Sequence, residues 1–182
     1  MRRYVVSRKL NIHETICDKL SLYLVKKSLM QVLSKIKAIH KPDLVDLLGG
    51  IKLVDADIRS EFDLINLSNT GIKKASLDAL IGHLGMSKKS FTENILNVSV
   101  KTMERKKNDE VLDKRTSSYI IEIAKVTEHA FEVFESEEKV QSWLNTPNRA
   151  LNQMKPIDLF DMPTGLMMVD RILGRIEEGV YS

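Results

Sequence analysis

Between Ser99 and Lys107 the sequence SVKTMERKK sets Lys101, Thr102, Arg105 and Lys106 around two apolar residues, Val100 and Met103, spaced three apart. That spacing predicts a short helix held by its apolar pair, with cationic and hydroxyl donors on the outer side. Such a surface suits the DNA major groove, where Arg and Lys reach guanine or phosphate and Thr meets a base edge or a thymine methyl. The alternative, a solvated charged helix on a helical bundle, stays open at this point. The elements needed to hold it are legible just upstream. Phe91, Ile95 and Leu96 can bury one side of a preceding helix, and Ser90-Phe91-Thr92-Glu93 fits a capping box at its start. Asn97 stands where the chain must turn, in a conformation Asn tolerates, and Ser99 is placed to cap the second helix, which is expected to run to about Lys107.

Other chemistry does not assemble. His13, His40, His83 and His129 are far apart and lack ligand spacing, and Cys17 has no activating partner in the sequence. Gly49-Gly50 and Gly82-His83-Leu84-Gly85 lack the Lys and Ser/Thr of a phosphate-cradling loop. Met162, Met167 and Met168 read as core fillers, and Glu177-Glu178 beside Arg175 as a solvated helix end. No catalytic residue, metal ligand or cofactor is assigned, and the chain by itself is not expected to be an enzyme.

The composition bounds what positions the basic helix. The 182 residues are 43% hydrophobic and 29% charged, with few aromatics, Gly or Pro, a mixture that favours an all-α fold. A stripe from Ile16 through Leu20, Leu24 and Leu33 to Ile36 predicts a helix over about 14–41, ended by Pro42, with one further turn over 43–48. The most apolar window, Leu20 to Ile39, carries Lys26, Lys27, Lys35 and Lys37, which argues against a membrane span, and a single Cys with no signal peptide points to the cytoplasm.

Asp55 is read as the cap of a helix burying Ile58, Phe62 and Ile65 and closed at Asn69-Thr70-Gly71. Leu77, Leu80, Ile81 and Leu84 predict a helix over 75–83 that Gly85 ends. After a polar loop over 108–114, a helix from about Ser117 to Glu135 buries Ile120, Ile123, Ala124, Ala130, Phe131 and Phe134. A shorter one carries Val140, Trp143 and Leu144 up to Pro147, with Trp143 read as an anchor of the local core. One helical turn follows at 157–160, then a last helix over about 164–178 carries Leu166, Val169, Ile172, Leu173 and Ile176. Gly179 is its expected C-cap, with Val180 in a Schellman motif.

Charge divides along the chain. Residues 1–70 hold 12 basic and 8 acidic side chains, residues 71–118 hold 10 and 6, and residues 119–182 hold 6 and 11. A basic front and an acidic rear predict nucleic acid for the first and a different partner for the second.

Three words in the last third carry a resemblance: WLNTPNRAL at 143–151, KPIDLFD at 155–161 and LGRIEEGVYS at 173–182. In that order they resemble the C-terminal domain of Xre/MbcA/ParS-type antitoxins. The likeness continues upstream in FDLI at 62–65, GIKKASL at 71–77 and VSVKTMERK at 98–106, so it covers roughly residues 55–182. The resemblance implies three parts: a variable N-terminal extension (1–54), a helix-turn-helix region (55–116) and a toxin-binding domain (117–182). It also implies an antitoxin whose partner is a RES-domain toxin that consumes NAD, with the toxin's pocket occluded by the C-terminal domain. Promoter DNA bound for autoregulation, and a homodimer within the toxin complex, are implied as well.

Onto this sequence the resemblance carries Ser99, Lys101, Thr102, Arg105, Lys106 and Lys107 as the DNA-binding set. The toxin-binding set is Arg171, Arg175, Glu177, Val180, Tyr181 and Ser182. Arg171 and Arg175 lie four apart and share a helix face, and Tyr181, apolar with a polar tip, fits a plug. Two departures from the family pattern are visible. Asn152-Gln153-Met154 follows Leu151 where the family often has Gly, and Lys101 stands where Arg is common, so the planar fork for guanine is missing there. Two other readings remain: a stand-alone helix-turn-helix regulator whose C-terminal domain dimerises or senses a signal, and an adaptor that binds no DNA.

Overall fold

The computed structural model describes residues 41–180. They belong to the second of the two units into which the chain divides, residues 41–182. The helix expected over 14–41, with Cys17, His13 and His40, lies outside the described residues, as do Tyr181 and Ser182.

The second unit is organised on one long helix. We number its helices α1 (Leu44–Leu47), α2 (Ile51–Val54), α3 (Glu61–Thr70), α4 (Lys74–Leu84), α5 (Lys88–Ser90), α6 (Val100–Glu104), α7 (Lys114–Phe134), α8 (Glu137–Leu144) and α9 (Pro163–Glu177). Helix α7 starts three residues before the expected Ser117 because Asp113 caps it, accepting from the Thr116 N–H and hydroxyl. These bonds hold the Asp113 carboxyl below its ordinary range, the Thr116 hydroxyl contributing most. Ile120, Ile121, Ile123, Ala124, Ala130 and Phe131 are buried along α7, and α1, α3, α4, α8 and α9 all pack on it. Burying one such aliphatic side chain contributes about 1.5–3 kcal/mol, so this helix is the seam of the unit. Among the described residues there is no strand, only two isolated bridges, Lys73–Val111 and Asn148–Met154.

The loop over 108–113 closes the start of α4. Carbonyls of Asn108 and Glu110 accept from the Ala75 and Lys74 N–H groups, and buried Ser117 joins Ile72 N–H to the Leu112 carbonyl. Helix α4 matches its sequence stripe, and Gly85 ends it at φ 65°.

Three expectations need correction. Phe62 and Ile65 are exposed, at 75% and 54%, while Leu64 and Leu67 face α7. The i, i+4, i+7 reading assumed a helix beginning at Asp55, yet Asp55 is the left-handed end of α2 and residues 55–60 are not helical. Asp63 accepts from Ser60 Oγ and the Arg59 N–H, which starts α3 at Glu61 and sets a different phase. Those bonds also lower the Asp63 carboxyl, the Ser60 hydroxyl most. Ser90 is not a helix cap, because Ser87 takes that place and accepts from the Ser90 N–H at 3.1 Å. Met162, Met167 and Met168 are exposed on and before α9, not core fillers. The inner side of α9 is already filled by Leu166, Val169, Ile172 and Leu173, so the methionines fall outside.

Candidate functional site

Two surfaces present side chains that the sequence singled out. The first is the short basic helix. From α5 the chain passes into a π turn over Phe91–Ile95, where the Leu96 N–H reaches back five residues to the Phe91 carbonyl. Buried Thr92 accounts for the widening: its hydroxyl donates to the Lys88 carbonyl at 2.8 Å and competes with the backbone ladder. Asn97 makes the turn at φ 54°, as its type suggested, and α6 follows from Ser99. Ser99 holds the N-cap position without a side-chain cap bond, and α6 stops at Glu104, short of Lys107.

Met103 is buried and Val100 half-buried, while Ser99, Lys101, Thr102, Arg105 and Lys107 are exposed. Lys106 differs. Its ammonium pairs with Glu110, whose carboxylate also accepts from the Lys107 N–H, and the Lys106 bond holds the Glu110 carboxyl below its ordinary range. Lys106 therefore has an intramolecular partner at the surface, a weak pairing of the i, i+4 kind.

The second surface is built by α7, α8, α9 and the loop between the last two. Tyr119 on α7 donates to the Phe160 carbonyl at 2.9 Å and fixes this loop to the long helix. Burial, with the Asp161 charge, pushes its phenol up to about 12, so it stays a donor throughout the physiological range. His129 on α7 pairs with Asp170 at 2.7 Å and lies 3.6 Å from Glu177, both on α9.

Gly165 lets α9 touch the 3₁₀ turn over Pro156–Leu159, since a Cβ there would stand 2.0 Å from the Leu159 carbonyl oxygen. The last turn of α9 closes as a full Schellman motif: Val180 N–H donates to the Arg175 carbonyl at 2.8 Å and Gly179 N–H to Ile176 at 3.0 Å.

Between these elements lies a groove of about 520 Å³. Phe134 and Trp143, ring centres 5.3 Å apart, form its floor with Ile172 and Ile176, and Arg149, Arg175 and Val180 stand on its sides. Arg149 is positioned by its loop. Asn148 Oδ1 accepts from the Ala150 N–H, the Asn148 N–H bonds the Met154 carbonyl, and Leu151 is buried as an anchor. Asn152 and Gln153 follow at φ 55° and 66°, left-handed values that favour glycine and explain why Gly suits this stretch. Gln153→Gly is expected to leave the loop in place and raise stability by up to about 1 kcal/mol, readable as a higher urea midpoint at unchanged slope.

Of the sequence-assigned toxin-binding residues, Arg171, Arg175, Glu177 and Val180 are all exposed at this end of α9. The sequence reading missed Met167 and Met168, which share the outer face of α9 with the arginines by i, i+3 and i+4 spacing, together with Arg149 in the groove. Among the described residues no group of three or more His, Cys, Asp or Glu is placed to hold a metal ion, and no helix is long and apolar enough to cross a membrane.

This region has recognised relatives. The family pattern described as antitoxin Xre/MbcA/ParS C-terminal toxin-binding domain matches residues 129–179. Residues 129–179 are thus similar to the C-terminal toxin-binding domain of the Xre-type antitoxins. That domain holds the end of α7, α8, the loop and α9, and every groove residue except Val180. The chain is 29% identical over 133 residues to a protein named Prs ADP-ribosylating antitoxin from Sphingobium sp. (strain YBL2), covering 68% of this chain and 83% of the relative. It is 31% identical over 67 residues to Antitoxin Xre of Photorhabdus laumondii, covering 36% of this chain and 45% of that one. A similar match, 29% over 79 residues, joins it to Antitoxin Xre of Yersinia enterocolitica, covering 43% and 53%. The matches span about half the length of these two Xre relatives.

Proposed function

We propose that this chain neutralises a cognate NAD-consuming RES-domain toxin by seating its C-terminal domain over the toxin's active site, and that it binds its own promoter through α5 and α6. The observation that carries the first part is the coincidence of the matched toxin-binding domain with the exposed arginine and methionine face of α9. Arg171 and Arg175 offer charge-assisted donors to carboxylate or phosphate-like groups, and methionines adapt to an apolar partner surface. Beyond Val180, Tyr181 supplies an aromatic ring with a hydroxyl tip for the toxin's pocket. The toxin is sought as the product of an adjacent RES-type gene. Co-purification with that product tests the reading, and failure to bind it at micromolar concentration overturns it.

Support for DNA binding comes from the exposed Lys101, Thr102 and Arg105 beside the turn at Asn97. Lys101 on α6, with Arg105 and Lys107 just after it, offers exposed cations to phosphate or base, while Lys106 pairs with Glu110. The double variant Lys101→Ala, Arg105→Ala is expected to abolish promoter binding near physiological salt without weakening toxin binding. Each lost phosphate contact lowers the slope of log K against log salt by about 0.9. Gel shifts over a salt series check this, and an unchanged slope would move the DNA contact off α6. The complex is proposed to contain an antitoxin homodimer.

A further inference from the structure

The groove beside α9 has a chemistry its surroundings do not share. Residues 119–182 carry 11 acidic and 6 basic side chains, yet no carboxylate lines the groove, while Arg149 and Arg175 both do. Neither guanidinium has a hydrogen-bond or ion-pair partner among the described residues, although Asp170 and Glu177 on the same helix are engaged with His129. The floor is aromatic and aliphatic, and the loop that presents Arg149 is fixed by its own hydrogen bonds and by buried Leu151. A preformed apolar floor with cationic sides selects one kind of guest: an apolar side chain with a carboxylate close by. At about 520 Å³ the groove is in the range that takes ligands larger than one side chain, roughly 300–1,000 Å³.

We infer that this groove is a docking site for a segment of the toxin that places a large apolar side chain against Phe134, Trp143 and Ile176 and an Asp or Glu on Arg149 and Arg175. The inference rests on the toxin-binding reading and deepens it. The antitoxin then grips its partner at a second point, beside the residues proposed to fill the NAD pocket, and charge complementarity at the groove sets which toxin it accepts.

The test uses the full chain and the toxin identified by the co-purification proposed above. Arg149→Glu with Arg175→Glu, both exposed, is expected to weaken toxin binding by roughly 30- to 300-fold in calorimetry, with an unchanged circular dichroism spectrum confirming the fold. Arg149→Lys with Arg175→Lys, which keeps the charge and loses the fork, is expected to lose roughly 3- to 10-fold. A photoreactive phenylalanine analogue at exposed Ala150, on the groove's edge, is expected to crosslink to a toxin peptide containing an apolar residue next to Asp or Glu. Unchanged affinity in the charge-reversed variant overturns the groove as a docking site and removes Arg175 from the toxin contacts, and crosslinking from position 150 only to the chain's own residues 181–182 overturns the groove alone; in either case toxin binding by the rest of the C-terminal domain stands. If the unmodified chain fails to bind the toxin at all, both fall together.

Discussion

Gly165→Ala is expected to destabilise the C-terminal domain by about 3 kcal/mol or more, because its methyl would stand 2.0 Å from the Leu159 carbonyl oxygen and 2.9 Å from the carbonyl carbon. Backbone cannot rotate away as a flexible side chain can, so α9 must lift from the turn over Pro156–Leu159, taking Leu166 and Val169 out of the core. In a chain of this size the loss corresponds to a fall in Tm of roughly 6–12 °C. The neutralisation proposed for the chain should then fail at temperatures where the domain opens. Gly174→Ala is the matched control: nothing lies within 4 Å of its Cβ, and replacing a mid-helix glycine stabilises by up to about 1 kcal/mol. Thermal melts of both variants check the pair, and equal Tm values would mean that the packing of α9 on the turn is not as described.

Removal of residues 180–182 is the second large effect. The proposed function assigns Tyr181 to the toxin's pocket, so the shortened chain is expected to inhibit NAD consumption roughly 100-fold less well, the scale of losing one buried aromatic anchor. The domain itself should persist. The cut removes one Schellman bond, from the Val180 N–H to Arg175, while the buried Leu166, Val169, Ile172 and Leu173 lie earlier in α9. Circular dichroism with a NAD-consumption assay separates the two, and full inhibition by the shortened chain would exclude the plug.

What the sequence disclosed, and what it hid, follows from how local each determinant is. The ends of α4 and α9 were legible because a glycine in a left-handed cap and the residue after it decide them within one turn. Asn97 was legible for the same reason. The phase of α3 was not, because Ile58, Phe62 and Ile65 make as regular a stripe as Leu64 and Leu67, and only the cap at Ser60 with packing on α7 chooses between them. The exposure of the methionines was not legible because Met packs equally well in a core, and only the assembled α9 shows more apolar residues than one face can bury.

The groove is the least local feature of all. Its lining comes from positions 134, 143, 149, 172 and 176, brought together only when α7, α8 and α9 pack. Its guanidiniums could be counted in the sequence, but that Arg149 and Arg175 share a wall free of carboxylates could not. The exposed Phe62 and Ile65 on α3 form a further apolar surface that no described residue covers.

Hydrogen–deuterium exchange on the chain, alone and bound to its toxin, tests most directly whether the C-terminal domain closes the toxin's active site. Protection is expected in α9 and in the loop over 145–155 of the antitoxin, together with the NAD pocket of the toxin, while α5 and α6 exchange as before. Protection of α5 and α6 with α9 unchanged would contradict the account.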